Sequence, residues 1–156
     1  MSVGSLYQYF PNKDAILVEL MVGHIADGGD RVRSAVDGWR VEGGDMDVLI
    51  ERIVEVLLGL HREQPRLHQI LMTRVPLPPD VAARIEAIEV AMVGELAELL
   101  GQVTDLGAED AVVRAAMAAS AINAMVHQQV ARPEPPIPDV LFAAETTRLV
   151  TGYLVP

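Results

Sequence analysis

Ser2, Ser5, Tyr7 and Tyr9 place four hydroxyls within eight residues, Gln8 adds an amide, and Lys13 follows as the one cation before Asp14. Val3, Leu6 and Phe10 stand three or four apart, so on a helix they share a face and pack inward while the polar groups remain on the other sides. A short helix of this kind suits a DNA major groove, where Ser and Gln reach base edges and Tyr hydroxyls reach phosphate oxygens. Pro11 cannot extend it, and Asn12 is a good N-cap for a new helix. Lys13 then opens that helix, where an ammonium opposes the local dipole; a phosphate at the same place would make sense of it. The bland reading of the same stretch is a short amphipathic helix that merely begins a bundle.

Elsewhere the chemistry-bearing residues are sparser. His24, His61, His68 and His127 invite a metal or acid–base reading, but none has the His-x3-His or carboxylate spacing that fixes a ligand pair on one helix turn. His61 and His68 stand seven apart, but Pro65 lies between them and breaks the helix. The spacing therefore argues against a metal, and the expectation is satisfied or solvent-edge histidines with no metal and no cofactor. Asp45/Asp47, Glu51/Glu55, Glu86/Glu89 and Glu95/Glu98 are most simply solvated helix faces. No Gly-rich phosphate loop follows a strand, no G-x-S-x-G run occurs and no cysteine exists, so nothing asks for an enzyme.

These groups must be positioned by helices. At 156 residues, 51% hydrophobic and only 4% aromatic, the chain holds one core built from Ala, Val, Leu, Ile and Met. From Asn12 to about Trp39, Leu17, Met21, His24, Gly28, Val32, Ala35 and Trp39 recur at helical steps. Gly28 and Gly29 interrupt that helix at a common place for a kink, and a hinge there is no more and no less compatible with them than a local break or close helix packing. Asp45 or Asp47 caps the next helix, whose stripe includes Leu49, Ile50, Ile53, Val54, Leu57, Leu58 and His61. A shorter helix follows from Pro65 to about Arg74 with Leu67, Ile70 and Leu71 inward. Pro76, Pro78 and Pro79 mark a turn, Asp80 begins a long helix, and Gly101 to Gly107 form its exit. The helix over 108–131 is small or apolar nearly all round, so it is expected to be covered on more than one side. After a proline-rich loop, a last helix spans Asp139 to about Leu154 with Val140, Leu141, Phe142, Leu149 and Val150.

Leu6, Tyr7, Tyr9, Phe10 and Lys13, with Gly4 and Ser5 in small-residue places, resemble the end of the DNA-binding domain in tetracycline-repressor (TetR) family transcription regulators. The resemblance implies an all-α fold: a TetR-like helical bundle for sensing and dimerisation, preceded by a remnant of a helix-turn-helix. Residues 1–11 would be that remnant and 12–156 the ligand-binding and dimerisation domain, with 12–40 as connector helix. It also implies DNA contacts from Val3, Gly4, Ser5, Tyr7, Gln8, Tyr9 and Lys13, and a homodimer through 108–131 and 139–154. A small-molecule effector would lie in the body, where Met21, His24, His61, His68, Met72, Met92, Met117, Asn123 and His127 fall on or near apolar helix faces; each could equally be a core residue.

The family pattern has two further helices before the recognition helix, and the sequence begins inside the motif, so this chain is expected to bind DNA weakly or not at all. The function implied is a ligand-responsive repressor that binds operator DNA as a dimer in its intact form. The alternative is a stand-alone ligand-binding or dimer-forming module without DNA binding. A net charge of −10 opposes a nucleic-acid partner, yet none of the acids precedes Asp14, so the repulsion belongs to the body. No cysteine, no leader pattern and no membrane-length apolar run are present, and a cytoplasmic location with no membrane contact is the expectation.

Overall fold

A computed structural model describes residues 9–63, 65–74, 78–132 and 134–155, and within the third helix it gives the backbone alone for residues 66, 67 and 72–74. Six helices carry nearly all of it: α1 (Lys13–Glu42), α2 (Met46–Glu63), α3 (Pro65–Arg74), α4 (Pro79–Val103), α5 (Ala108–Val130) and α6 (Asp139–Leu154). No strand occurs among the described residues, so the all-α expectation is borne out. None of these helices is long and apolar enough to cross a membrane.

α1 starts where the sequence places its cap: the Asn12 side chain accepts a 2.8 Å hydrogen bond from the Ala15 amide. It runs on to Glu42 and stops at Gly43, whose φ of 72° lies in the left-handed region that favours glycine and whose N–H donates to the Trp39 carbonyl. Trp39 Nε1 donates to the Asp45 carbonyl at 3.2 Å and ties the loop back onto α1. Of the two readings of Gly28–Gly29, close packing is the one observed. α1 is continuous through both, and a Cβ on Gly28 would meet Leu60 Cδ2 of α2 at 3.0 Å. Val36, rather than the half-buried Ala35, completes the inward stripe.

α2 is the central helix, packed against α1, α3, α5 and α6, because its Leu49, Ile50, Ile53, Val54 and Leu58 form a stripe wide enough to meet neighbours on several sides. α4 lies against α5 and α1, and Leu99, Leu100, Ala111, Ala115, Ala118, Ile122 and Val126 join the same core. Alanines at 111, 115 and 118 let α4 and α2 approach α5 closely.

Several boundaries differ from the sequence reading. Pro79 opens α4 rather than lying in the preceding turn, since proline's missing N–H is harmless in a first turn. α4 continues past Gly101 to Val103, leaving a short exit at 104–107. Ile70 is largely exposed, not inward. α5 is covered on more than one side as expected, by α4, α6 and α2, with Val112, Val113 and Met117 left about half exposed. On α6 the inward face is Phe142, Ala143, Thr146, Thr147, Val150 and Leu154, while Val140, Leu141 and Leu149 face out.

Candidate histidine centre

Four helices deliver one histidine each to the same place: His24 from α1, His61 from the last turn of α2, His68 from α3 and His127 from the last turn of α5. They are all the histidines the chain has. The His61 and His68 rings stack with centroids 4.1 Å apart, and His68 stacks on His127 at 4.7 Å. His24 is tilted against both His61 and His68, at 5.2 and 5.5 Å.

Polar contacts within the cluster run through His68. Its Nε2 lies 2.9 Å from His127 Nδ1, and its Nδ1 lies 3.4 Å from His24 Nε2. His61 is 5% exposed, and neither of its ring nitrogens has a protein hydrogen-bond partner. Burial lowers the pKa of all four rings, and repulsion from neighbouring rings adds to it at His61, His68 and His127: His61 is pushed down to about 3 and His68 to about 4. Beside His24, Asp27 acts in the opposite direction and Arg31 adds to the lowering. At neutral pH the centre is therefore four uncharged imidazoles, each with one lone pair and one N–H to place. One ligand atom from each of His24, His61 and His68 falls within 4.8 Å of the others, so these three could hold an ion.

The neighbouring polar network fixes the helix ends that present two of these rings. Arg62, next to His61, donates from Nε and Nη2 to the two carboxylate oxygens of Asp139, each at 3.1 Å. Gln129, two residues beyond His127, donates from Nε2 to Asp139 Oδ1 at 2.8 Å and to the Ile137 carbonyl at 2.7 Å. The Arg62 guanidinium holds the Asp139 carboxyl below its usual range. Together these contacts pin the ends of α2 and α5 to the start of α6.

The remaining candidate residues are dispersed. Met21 is buried on α1 and Met92 packs half-buried against the core, whereas Met117 is 59% exposed and Asn123 is also exposed, so Asn123 needs no buried partner. The side chain of Met72 lies outside the described residues, as do Val3, Gly4, Ser5, Tyr7 and Gln8. Tyr9 and Lys13 are exposed. Two shallow grooves of about 410 and 500 Å³ lie elsewhere, along α2–α6 and α1–α2, and none of the nine proposed ligand-site residues lines either. Sequence reasoning nominated all four histidines but could not join them, because it looked for ligand pairs within one helix and this centre takes one from each of four. Arg62, Gln129 and Asp139 were missed; a basic residue at the end of one helix and an acid at the start of another are too common to single out.

Residues 45–154, most of the chain, match the family model described as tetracyclin repressor-like, C-terminal domain. A comparison with curated proteins finds no match.

Proposed function

The chain belongs to the tetracycline repressor-like family, and from that premise we propose that it is a ligand-responsive transcription regulator whose helical body dimerises and controls the binding of operator DNA. Domains of this family belong to regulatory proteins rather than enzymes, and they bind ligands and dimerise. The observation that carries the proposal is the family match across α2 to α6. Two features of the structure support it.

First, Val113, Met117, Ser120 and Ala124 form an exposed stripe of mostly small or apolar residues along α5, and Leu141 and Leu149 are exposed on the adjoining α6. Arg114 Nη1 donates to the Tyr153 carbonyl at 2.7 Å and links the two helices. A second copy laid on these helices would cover apolar surface that a single chain leaves in water. Second, Tyr9 and Lys13 stand exposed at the start of α1, with Asn12 capping the helix between them. Lys13 is thus free to meet a phosphate at a helix N-terminus. α1 joins that end to the histidine centre, so a ligand that shifts α1 would change the separation of two DNA-reading heads, and affinity for paired half-sites with it.

The test is selection of bound duplexes from a random library, using the protein extended through any in-frame upstream codons, with sedimentation velocity at micromolar concentration. A dimer that enriches paired half-sites is the expected result. A monomer that enriches nothing would refute the proposal; a dimer that enriches nothing would leave a ligand-binding module without DNA binding.

A further inference from the structure

The histidine centre has the geometry of a metal site, and we propose that His24, His61 and His68 ligate one divalent transition-metal ion, zinc(II) fitting best, while His127 holds His68 in the ligating tautomer.

The contact between His68 Nδ1 and His24 Nε2 is the first reason. At 3.4 Å it is long for a hydrogen bond. Two nitrogens each about 2.0–2.1 Å from a tetrahedral ion are separated by twice that length times the sine of half the tetrahedral angle, or ~3.3–3.4 Å. The pair thus already stands at ligand spacing. His61 supplies the second reason, since a buried imidazole with no partner at either nitrogen has a lone pair available and nothing else to satisfy it. The three ligand atoms lie within 4.8 Å of one another, and closing the triangle needs the His61 ring to turn out of its stack on His68.

His127 completes the arrangement from outside. For His68 Nδ1 to offer its lone pair toward His24, the ring must carry its proton on Nε2, and Nε2 lies 2.9 Å from His127 Nδ1, which can accept it. Such an outer hydrogen bond is what fixes a metal-bound histidine in structures generally. With nitrogen donors alone and no thiolate or carboxylate, the set suits zinc, copper, nickel or cobalt and discriminates against magnesium and calcium. Three protein ligands leave a fourth position for water or a small anion. Asp27 acts on His24 but is paired at 3.0 Å with Arg31, which acts on the same ring in the opposite sense, so the charge that favours a cation here is mainly the chain's net −10.

This inference does not depend on DNA binding; if the regulator reading holds, the ion would be its effector. Because the chain has no cysteine and no other histidine, a tag-free preparation carries little competing affinity. The chelator-stripped protein would be titrated with zinc(II) by calorimetry and with cobalt(II) by visible absorption. One ion per chain is expected, with the intense absorption of tetrahedral cobalt bleached by added zinc. His24→Leu and His61→Leu, each verified as folded by circular dichroism, should lose more affinity than the ~10–100-fold that removal of an outer partner costs. His127→Leu should fall within that range, and His127→Gln, whose amide oxygen can accept the same hydrogen bond, should recover most of it. Failure of the folded wild type to bind either ion would overturn the proposal. So would affinity unchanged by His61→Leu, or the weak spectrum of six-coordinate cobalt. Zinc binding with no duplex enriched by the upstream-extended protein would sink the regulator reading alone, and duplex enrichment by that protein without zinc binding would sink this one alone.

Discussion

Replacing His61 by Leu should make the metal-free protein more stable, which is the opposite of what removing a well-bonded core residue does. A buried neutral imidazole with no partner leaves one N–H and one lone pair unsatisfied. Each such group costs about 1–3 kcal/mol. Leu is of similar size and carries neither, so in a chelator-treated sample His61→Leu is expected to gain about 2 kcal/mol, the low end for the two groups together. For a chain of this length that is a rise in Tm of about 4–8 °C, at 2–4 °C per kcal/mol. Saturating zinc should reverse the order. An ion at one hundred times its Kd adds about 2.7 kcal/mol to the wild type and nothing to the variant. Differential scanning calorimetry with chelator and with zinc therefore gives two melting curves per protein whose ranking crosses. A metal-free His61→Leu that melts below the wild type would refute the reasoning, because it would mean that the His61 nitrogens are satisfied after all.

Three further outcomes follow from the packing. Gly23→Ala should raise stability by ~0.5–1 kcal/mol, measured by urea denaturation, because Gly23 lies mid-helix on an exposed face and a Cβ there meets nothing within 4 Å. Arg62→Met should lower stability by about 1 kcal/mol at neutral pH, the pair being partly exposed. The Asp139 pKa is depressed by Arg62, so this stability is fully present above the unfolded carboxylate range near ~4 and is lost as pH falls through the lower folded value; urea midpoints across acid pH should show a shallower slope in the variant. Met117→Glu combined with Leu149→Glu should shift sedimentation toward monomer with little change in helical content, since both residues are exposed within one chain.

The helices were legible because their signal is local. Asn12, the Leu49–Ile50–Ile53–Val54 stripe and the proline-rich break before Asp139 each act within a turn or two of themselves, and the structure places helix starts or a core stripe there. Boundaries failed where one residue serves two roles: Pro79 is a breaker in a run of prolines and also a good first-turn residue, and Gly101, exposed in the last turn of α4, costs that helix only about 1 kcal/mol and does not end it. The small, apolar surface of 108–131 implies cover on more than one side, and within the chain alanines 111, 115 and 118 are buried while Val113 and Met117 are left exposed. A small residue permits close approach but does not require it. The histidine centre was invisible for a different reason. Positions 24, 61, 68 and 127 have no common period, and only the packing of α1, α3 and α5 around the end of α2 makes them neighbours.

That packing depends on Gly28. It lies one turn beyond His24 on α1 and meets Leu60, the residue before His61 on α2, with room for a hydrogen and little more: a Cβ would stand 3.0 Å from Leu60 Cδ2. The sequence left open whether the glycine pair is a hinge or a close contact, and the uninterrupted α1 makes it the contact. The same closeness brings His24 within reach of His61 and His68. Gly28→Val should therefore push α1 from α2, costing about 1–3 kcal/mol through overpacking despite the better helix propensity of valine. It should also weaken zinc binding about tenfold or more, equivalent to ~1.4 kcal/mol, without removing any ligand. Calorimetric titration of the folded variant measures the second effect separately from the first. Unchanged zinc affinity in a destabilised Gly28→Val would show that the ligand geometry is set by α2 and α3 alone, and α1 would then carry no signal from the centre toward Lys13.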